Sequence, residues 1–216
     1  MTGGPAGLLR VCLVNGSLRG PKASSNHFLA CLERFLDPAK IEVAHLAVRA
    51  KLPNGYPEET LARLSAADAV VLAFPLFSYC LPGATIRLLE EWAHYADAHP
   101  AAKHTRVYVL VNCGYADPKV NDEAIHVVRN FCARLGLEWR FAIEIGCGPA
   151  VLMLAPIDLR LRRALQSMAA DLQTTAPEAK DNVYLWPLLP RILMDTIRQS
   201  LDRKALREAI RRQSGA

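Results

Sequence analysis

Between Asn15 and Asn26 the chain carries Gly16, Ser17, Arg19, Ser24 and Ser25 in one polar stretch that follows an apolar run and precedes a helical pattern. A helix N-terminus presents unpaired backbone N–H groups and the positive end of its dipole, which suits a phosphate. Ser17, Ser24 and Ser25 add hydroxyl donors, and Arg19 adds a forked cation. Ser24, Ser25 or Asn26 also reads as an ordinary cap of the helix. Capping leaves Gly16–Arg19 unexplained, so this stretch is expected to bind phosphate. It matches neither G-x-x-x-x-G-K-[ST] nor G-x-G-x-x-G, and a mononucleotide phosphate fits it better.

A second stretch, Pro75, Leu76, Phe77, Ser78 and Tyr79 followed by Pro82 and Gly83, is apolar, aromatic and stiffened by proline. Such a loop suits a flat ring, with backbone groups free to hydrogen-bond ring heteroatoms. Ordinary packing of Phe77 and Tyr79 against a helix or subunit is the alternative. The third stretch is Asn112, Cys113, Gly114 and Tyr115. Nothing adjacent in sequence lowers the pKa of Cys113, so it reads first as an inert lining thiol. His27, His94, His99, His104 and His126 lack metal-ligand spacing and carry no expected catalytic role.

These stretches need a scaffold that brings them together. Strands are expected at 8–14, 41–46, 69–73, 107–111 and 138–145. Helices are expected at 28–36, 58–66, 84–96, 121–135 and 157–174. Ala69–Ala73 and Val107–Val111 are continuous apolar runs, as in strands buried on both faces. Five strands alternating with helices predict an α/β fold with a five-stranded parallel sheet covered by helices on both faces. In the strand order 2-1-3-4-5 the three stretches follow neighbouring strands, at the carboxyl ends where open parallel sheets bind ligands.

The chain has 216 residues, 51% of them apolar, enough for one large core. Its net charge is +5, too mild and too mixed for a dedicated nucleic-acid binder. No run is long enough to span a bilayer, and the apolar start holds Arg10 and lacks a cleavage pattern, so a cytoplasmic protein is expected. The six cysteines are scattered without a C-x-x-C pair and read as reduced thiols. Residues 1–175 are expected to form the main domain, and 176–216 a C-terminal extension. Its basic amphipathic helix, 192–212, is expected to dock on the body or on a partner subunit.

The first two stretches, in this order, resemble the phosphate and ring loops of the NADPH-dependent FMN reductase family, over roughly residues 8–172. The resemblance implies a flavodoxin-like three-layer α/β/α sandwich, bound FMN, and NADPH or NADH as electron donor. It implies that Ser17, Arg19, Ser24, Ser25 and Asn26 hold the FMN phosphate and ribityl end. Pro75, Leu76, Phe77, Ser78 and Tyr79 would line the ring, with Asn112, Cys113, Gly114 and Tyr115 at its other edge. The spacer after Arg19 is slightly long for the family, Phe77 stands where a Tyr is common, and the third stretch is less glycine-rich. The implied activity passes electrons from reduced nicotinamide through FMN to a small acceptor such as a flavin or quinone, by a ping-pong scheme. The implied assembly is a homodimer or homotetramer. A non-enzymatic FMN-binding electron carrier or redox sensor is the alternative; the positive charge argues against an electron carrier, since flavodoxin-type carriers are usually acidic. A protein of this fold that binds no flavin, acting as a scaffold or nucleotide-binding regulator, is a second alternative.

Overall fold

A computed structural model describes residues 7–48, 54–99, 105–154, 158–174 and 180–187. Strand β1 (Leu9–Asn15) leads into helix α1 (Ser24–Glu33), and β2 (Ile41–Ala47) into α2 (Glu58–Ala66). Strand β3 (Ala69–Pro75) precedes α3 (Gly83–Ala98), and β4 (Arg106–Asn112) precedes a 3-10 turn (Pro118–Asn121) and α4 (Asp122–Leu135). Strand β5 (Glu138–Ile145), helices α5 (Gly148–Leu154) and α6 (Leu159–Leu172), and strand β6 (Val183–Leu185) follow.

All strand pairs are parallel, in the order β2-β1-β3-β4-β5-β6. The expected order is therefore present, extended by a sixth strand where five were expected. Strand β6 has only three residues, too short for a period-two pattern to register. It pairs with β5 through Ile143–Val183, Glu144–Tyr184 and Ile145–Leu185, and Asn182 Oδ1 accepts the Ala142 N–H at 3.0 Å. Helix α5 is a second addition. Its Gly148–Pro149 start reads as a breaker in sequence, yet proline in a first helical turn forgoes an N–H that would be unpaired anyway. The expected helix at 192–212 and His104 lie outside the described residues.

Alternation along each strand divides the core into two layers. Val11, Leu13, Val71, Tyr108, Leu110 and Ile143 pack against Phe28 and Leu32 of α1 and Leu165 and Met168 of α6. Val14, Leu72 and Val109 pack against Leu64 of α2, Leu88 and Trp92 of α3 and Val128 of α4. The central strands β3 and β4 are buried almost end to end, while β2, on the sheet edge, is half exposed. No helix among the described residues is long and apolar enough to cross a membrane.

Candidate functional site

The register sets the floor of the site. Asn15 ends β1 opposite Ala73, and Pro75 of β3 lies opposite Asn112 of β4. The three loops therefore leave the sheet at nearly the same height. Between them lies an open cleft of about 170 Å³. Ser17, Arg19, Ser24 and Ser25 line one side, Pro75 and Leu76 the second, and Asn112, Cys113 and Gly114 the third. Pro149 of α5 also reaches it.

The first loop is folded around Asn15. Its side-chain carbonyl accepts the Ser17 N–H at 3.1 Å and the Ser25 hydroxyl at 3.0 Å. Its amide donates to Gly20 O at 3.0 Å and to Asn26 Oδ1 at 3.3 Å. The loop is pressed onto β3 and α3, since Gly16 N–H donates to Ala73 O at 2.7 Å and the Thr85 hydroxyl donates to Gly16 O at 2.8 Å. A Cβ on Gly16 would stand 2.7 Å from Thr85 Oγ1 and 2.9 Å from Phe74 Cβ, so only glycine fits this approach.

Helix α1 is not capped by Ser24, Ser25 or Asn26, one of which was expected to do so. Its N-cap is Ala23, and no side chain caps it. Its first turn holds no acidic residue. The open N-terminus faces the cleft with Ser24 and Ser25, and the exposed Arg19 stands beside it. A tetrahedral anion matches this arrangement of N–H groups, hydroxyls and guanidinium. Asn26 sits apart from the cleft lining and on a second hollow of about 300 Å³, where α1 flanks β2. It braces the loop through Asn15 and Pro21 O.

In the second loop only Pro75 and Leu76 line the cleft. Leu76 N–H donates to Asn112 O at 2.7 Å and ties this loop to the third. Phe77, Ser78, Tyr79 and Cys80 form a tight two-residue reversal, with reciprocal Phe77–Cys80 backbone bonds of 2.8 and 3.0 Å. Ser78 (φ 49°) and Tyr79 (φ 60°) are both left-handed, a conformation that bulky residues rarely adopt. Phe77 is 65% exposed and Tyr79 58% exposed. Tyr79 stacks on Tyr115 with ring centroids 5.7 Å apart and planes at 22°, so these two loops also meet through their rings.

The third loop is held by the end of β5. Cys113 N–H donates to Ile145 O, Cys147 N–H to Tyr115 O and Gly148 N–H to Cys113 O. A Cβ on Gly146 would collide with Ala116 O, and one on Gly148 with the Asn112 side chain. Asn112 is 5% exposed, lines the cleft, and its Oδ1 has no hydrogen-bond partner among the described residues. Burial pushes the Cys113 thiol above its ordinary pKa, outweighing N–H groups at Tyr115 and Cys147 and the Asn121 side chain that favour the thiolate. The thiol is therefore protonated at neutral pH, a poor nucleophile.

Thus the structure gathers Ser17, Arg19, Ser24, Ser25, Pro75, Leu76, Asn112, Cys113 and Gly114 around one cleft. It sets Phe77, Ser78, Tyr79 and Tyr115 outside that lining and Asn26 behind the loop. The organising roles of Asn15, Thr85 and Gly148 were not expected. An Asn at a strand end, ahead of Gly and Ser, was the local signal for Asn15. The other two act across long sequence separations that leave no local signal.

No family model and no curated protein matches this chain. Its fold does match solved structures. One is a flavone reductase, with TM-score 0.61 and 10% identity over 80% of this chain and 66% of that one, so the chain spans just under two thirds of its length. Another is an NADH:FMN oxidoreductase, with TM-score 0.59 and 16% identity over 78% of this chain and 92% of that one. A third is an NAD(P)H:quinone oxidoreductase from Methanothermobacter marburgensis, with TM-score 0.54 and 18% identity over 75% of this chain and 98% of that one. The chain has a flavodoxin-like α/β fold, extended by one strand, and shares that fold with these three proteins.

Proposed function

We propose that the protein is an FMN-dependent NAD(P)H oxidoreductase that passes electrons from reduced nicotinamide to a small acceptor such as a flavin or quinone, in a two-step exchange at one cleft. The observation that carries this reading is the uncapped N-terminus of α1 facing a cleft at the carboxyl ends of β1, β3 and β4. Two features fit a flavin mononucleotide. Ser17, Ser24, Ser25 and Arg19 suit its phosphate, and the orphaned Asn112 Oδ1 suits a ring that brings an N–H donor. A bound flavin would supply the two-electron chemistry.

The chain's own residues would bind and orient. Ser17, Ser24, Ser25 and Arg19 would anchor the phosphate, with Asn26 bracing the loop from behind. Pro75, Leu76, Asn112, Cys113 and Gly114 would frame the ring, and Phe77, Ser78, Tyr79 and Tyr115 would form the rim that a second substrate crosses. Six free cysteines fit a reducing compartment such as the cytoplasm. The exposed Leu18, Phe77 and Tyr79 around the cleft mouth fit self-association into a dimer or larger homo-oligomer. Residues 176–216 would act as an extension of the 1–175 unit.

The test loads purified protein with FMN, removes free flavin and adds NADPH or NADH without oxygen. Retained flavin colour that bleaches within seconds is the expected result. Colour that persists would indicate a carrier or sensor reduced by a partner. No retained flavin would overturn the cofactor assignment.

A further inference from the structure

Asn112 ends β4, and its backbone is held from both sides. It lies opposite Pro75 of β3 and Ile145 of β5, and its carbonyl accepts the Leu76 N–H at 2.7 Å. Its side chain is in a different position. The residue is 5% exposed and lines the cleft, yet its carboxamide oxygen has no donor among the described residues. A buried acceptor without a donor weakens the fold that holds it, so its retention calls for a reason.

The backbone around Asn112 does not supply the donor. Pro75 has no N–H. The Leu76 N–H is spent on Asn112 O, the Cys113 N–H on Ile145 O and the Gly148 N–H on Cys113 O. Gly148, at the start of α5, also fixes where the carboxamide lies. A Cβ there would stand 2.8 Å from Asn112 Cβ, 2.9 Å from Nδ2 and 3.0 Å from Cγ. Gly148 does not have a positive φ, so space and not backbone conformation requires a glycine. The Asn112 side chain therefore rests directly against the Gly148 backbone.

We propose that Asn112 is the specificity-determining residue of the cleft: its carboxamide, set in place by Gly148, reads a ring edge on which an N–H lies beside a carbonyl. Oδ1 accepts the N–H and Nδ2 donates to the carbonyl, so the two groups pair edge to edge. Asn and Gln read a base edge through the same kind of two-point pair. A bare ring nitrogen or a carboxylate offers acceptors alone and leaves Oδ1 unpaired. This assignment rests on the flavin reading above, since the flavin ring carries an N–H between two carbonyls. Gly148 is the positioning residue, acting through Asn112 alone.

The test compares FMN with FMN methylated on that ring nitrogen, by fluorescence titration of the full-length protein. The methylated form keeps the phosphate, the ring and both carbonyls and lacks only the N–H. Wild type is expected to bind FMN about tenfold more tightly, the discrimination of one two-point pair. Asn112→Leu keeps the bulk without the polar atoms, and is expected to bind both flavins alike. Its urea midpoint without flavin is expected to be no lower than that of wild type, because the acceptor removed had no donor. Gly148→Ala leaves Asn112 in the chain but displaces its carboxamide, and is expected to lose the preference too. Should Gly148→Ala fail to fold, Asn112→Leu carries the same expectation. A wild type that binds both flavins equally would overturn the proposal and leave the flavin reading intact. A wild type that binds neither would overturn both. An Asn112→Leu protein that keeps the preference would place the discrimination on another residue, and one whose urea midpoint falls would give Asn112 a structural role; either result overturns the proposal.

Discussion

The Ser25 hydroxyl donates to the Asn15 side-chain carbonyl at 3.0 Å, across ten residues of loop, and that one oxygen also takes the Ser17 N–H. Asn15 thus closes the loop into a fixed cup at the start of α1. Replacing it by Ala leaves the Ser17 N–H and the Ser25 hydroxyl without this acceptor in a buried setting. The expected cost is about 1–3 kcal/mol of stability. Because the loop also loses its preset shape, FMN affinity is expected to fall about tenfold. Urea unfolding and a fluorescence titration with FMN read the two effects. Unchanged FMN affinity in a folded Asn15→Ala protein would remove Asn15 from the anchoring role.

Gly16 brings a second expectation, about how the loop meets β3 and α3. A methyl group there meets Thr85 Oγ1, Phe74 Cβ and, at 3.1 Å, Ala73 O. Gly16→Ala is expected to destabilise the fold by about 1–3 kcal/mol, the usual cost of overpacking. Thr85→Ala removes one of those obstacles and one hydrogen bond together. The double variant is therefore expected to cost less than the sum of the singles by more than about 0.5 kcal/mol. Strict additivity in urea midpoints would show that the loop can move away from α3 without penalty.

The contrast between Gly16 and Gly148 shows what the sequence could and could not reveal. Strands β3, β4 and β5 and helix α2 announce themselves through continuous apolar runs or helical spacing between breakers such as Pro57 and Gly136. The loops at their carboxyl ends follow from the parallel-sheet rule, so most of the cleft lining was legible. Gly148–Pro149 was not legible as a helix start, because the same dipeptide is also a loop signal. Strand β6 escaped because Val183, Tyr184 and Leu185 are too few to show a period. The left-handed turn at Ser78–Tyr79 escaped for a different reason. Neither residue type favours that conformation, which the tertiary structure imposes.

The amino ends of β4 and β5, opposite the cleft, yield a pH expectation. Asp171, nearly fully buried, accepts the Tyr108 hydroxyl at 2.7 Å and the Arg140 guanidinium at 3.2 Å, and pairs with Lys180 at 3.2 Å. Burial alone would raise its pKa, but these donors outweigh burial and hold the carboxyl below its ordinary value. A carboxyl with a lowered folded pKa contributes stability above its unfolded pKa and loses it as pH falls through the folded value. Asp171→Asn is expected to cost about 3 kcal/mol at pH 7, since Arg140 and Lys180 lose their buried counter-charge. The gap between wild type and variant is expected to narrow below about pH 4. A gap that stays constant from pH 7 to pH 3 would show that the hydrogen-bond shape, and not the charge, is what matters.

Tyr79 sets stability against function at the cleft rim. Its backbone is left-handed, which costs a non-glycine residue about 1–2 kcal/mol, while its ring rests on Tyr115. Glycine is the favoured residue at the second position of such a turn. Tyr79→Gly is therefore expected to leave the fold as stable or slightly more stable, the relief of strain offsetting the lost stacking. Ser78→Asn, also favoured in this turn, is expected to stabilise without touching the ring pair. If the ring is held there for a substrate, Tyr79→Gly alone weakens use of a planar acceptor such as a naphthoquinone. A stacking contact of this kind corresponds to a rise in KM of about threefold to tenfold, with FMN affinity unchanged. Ferricyanide, which needs no stacking surface, is expected to be reduced at the wild-type rate by both variants. Equal losses with both acceptors would instead assign Tyr79 to holding the flavin, and no loss with either would make the strained turn a feature of the fold alone.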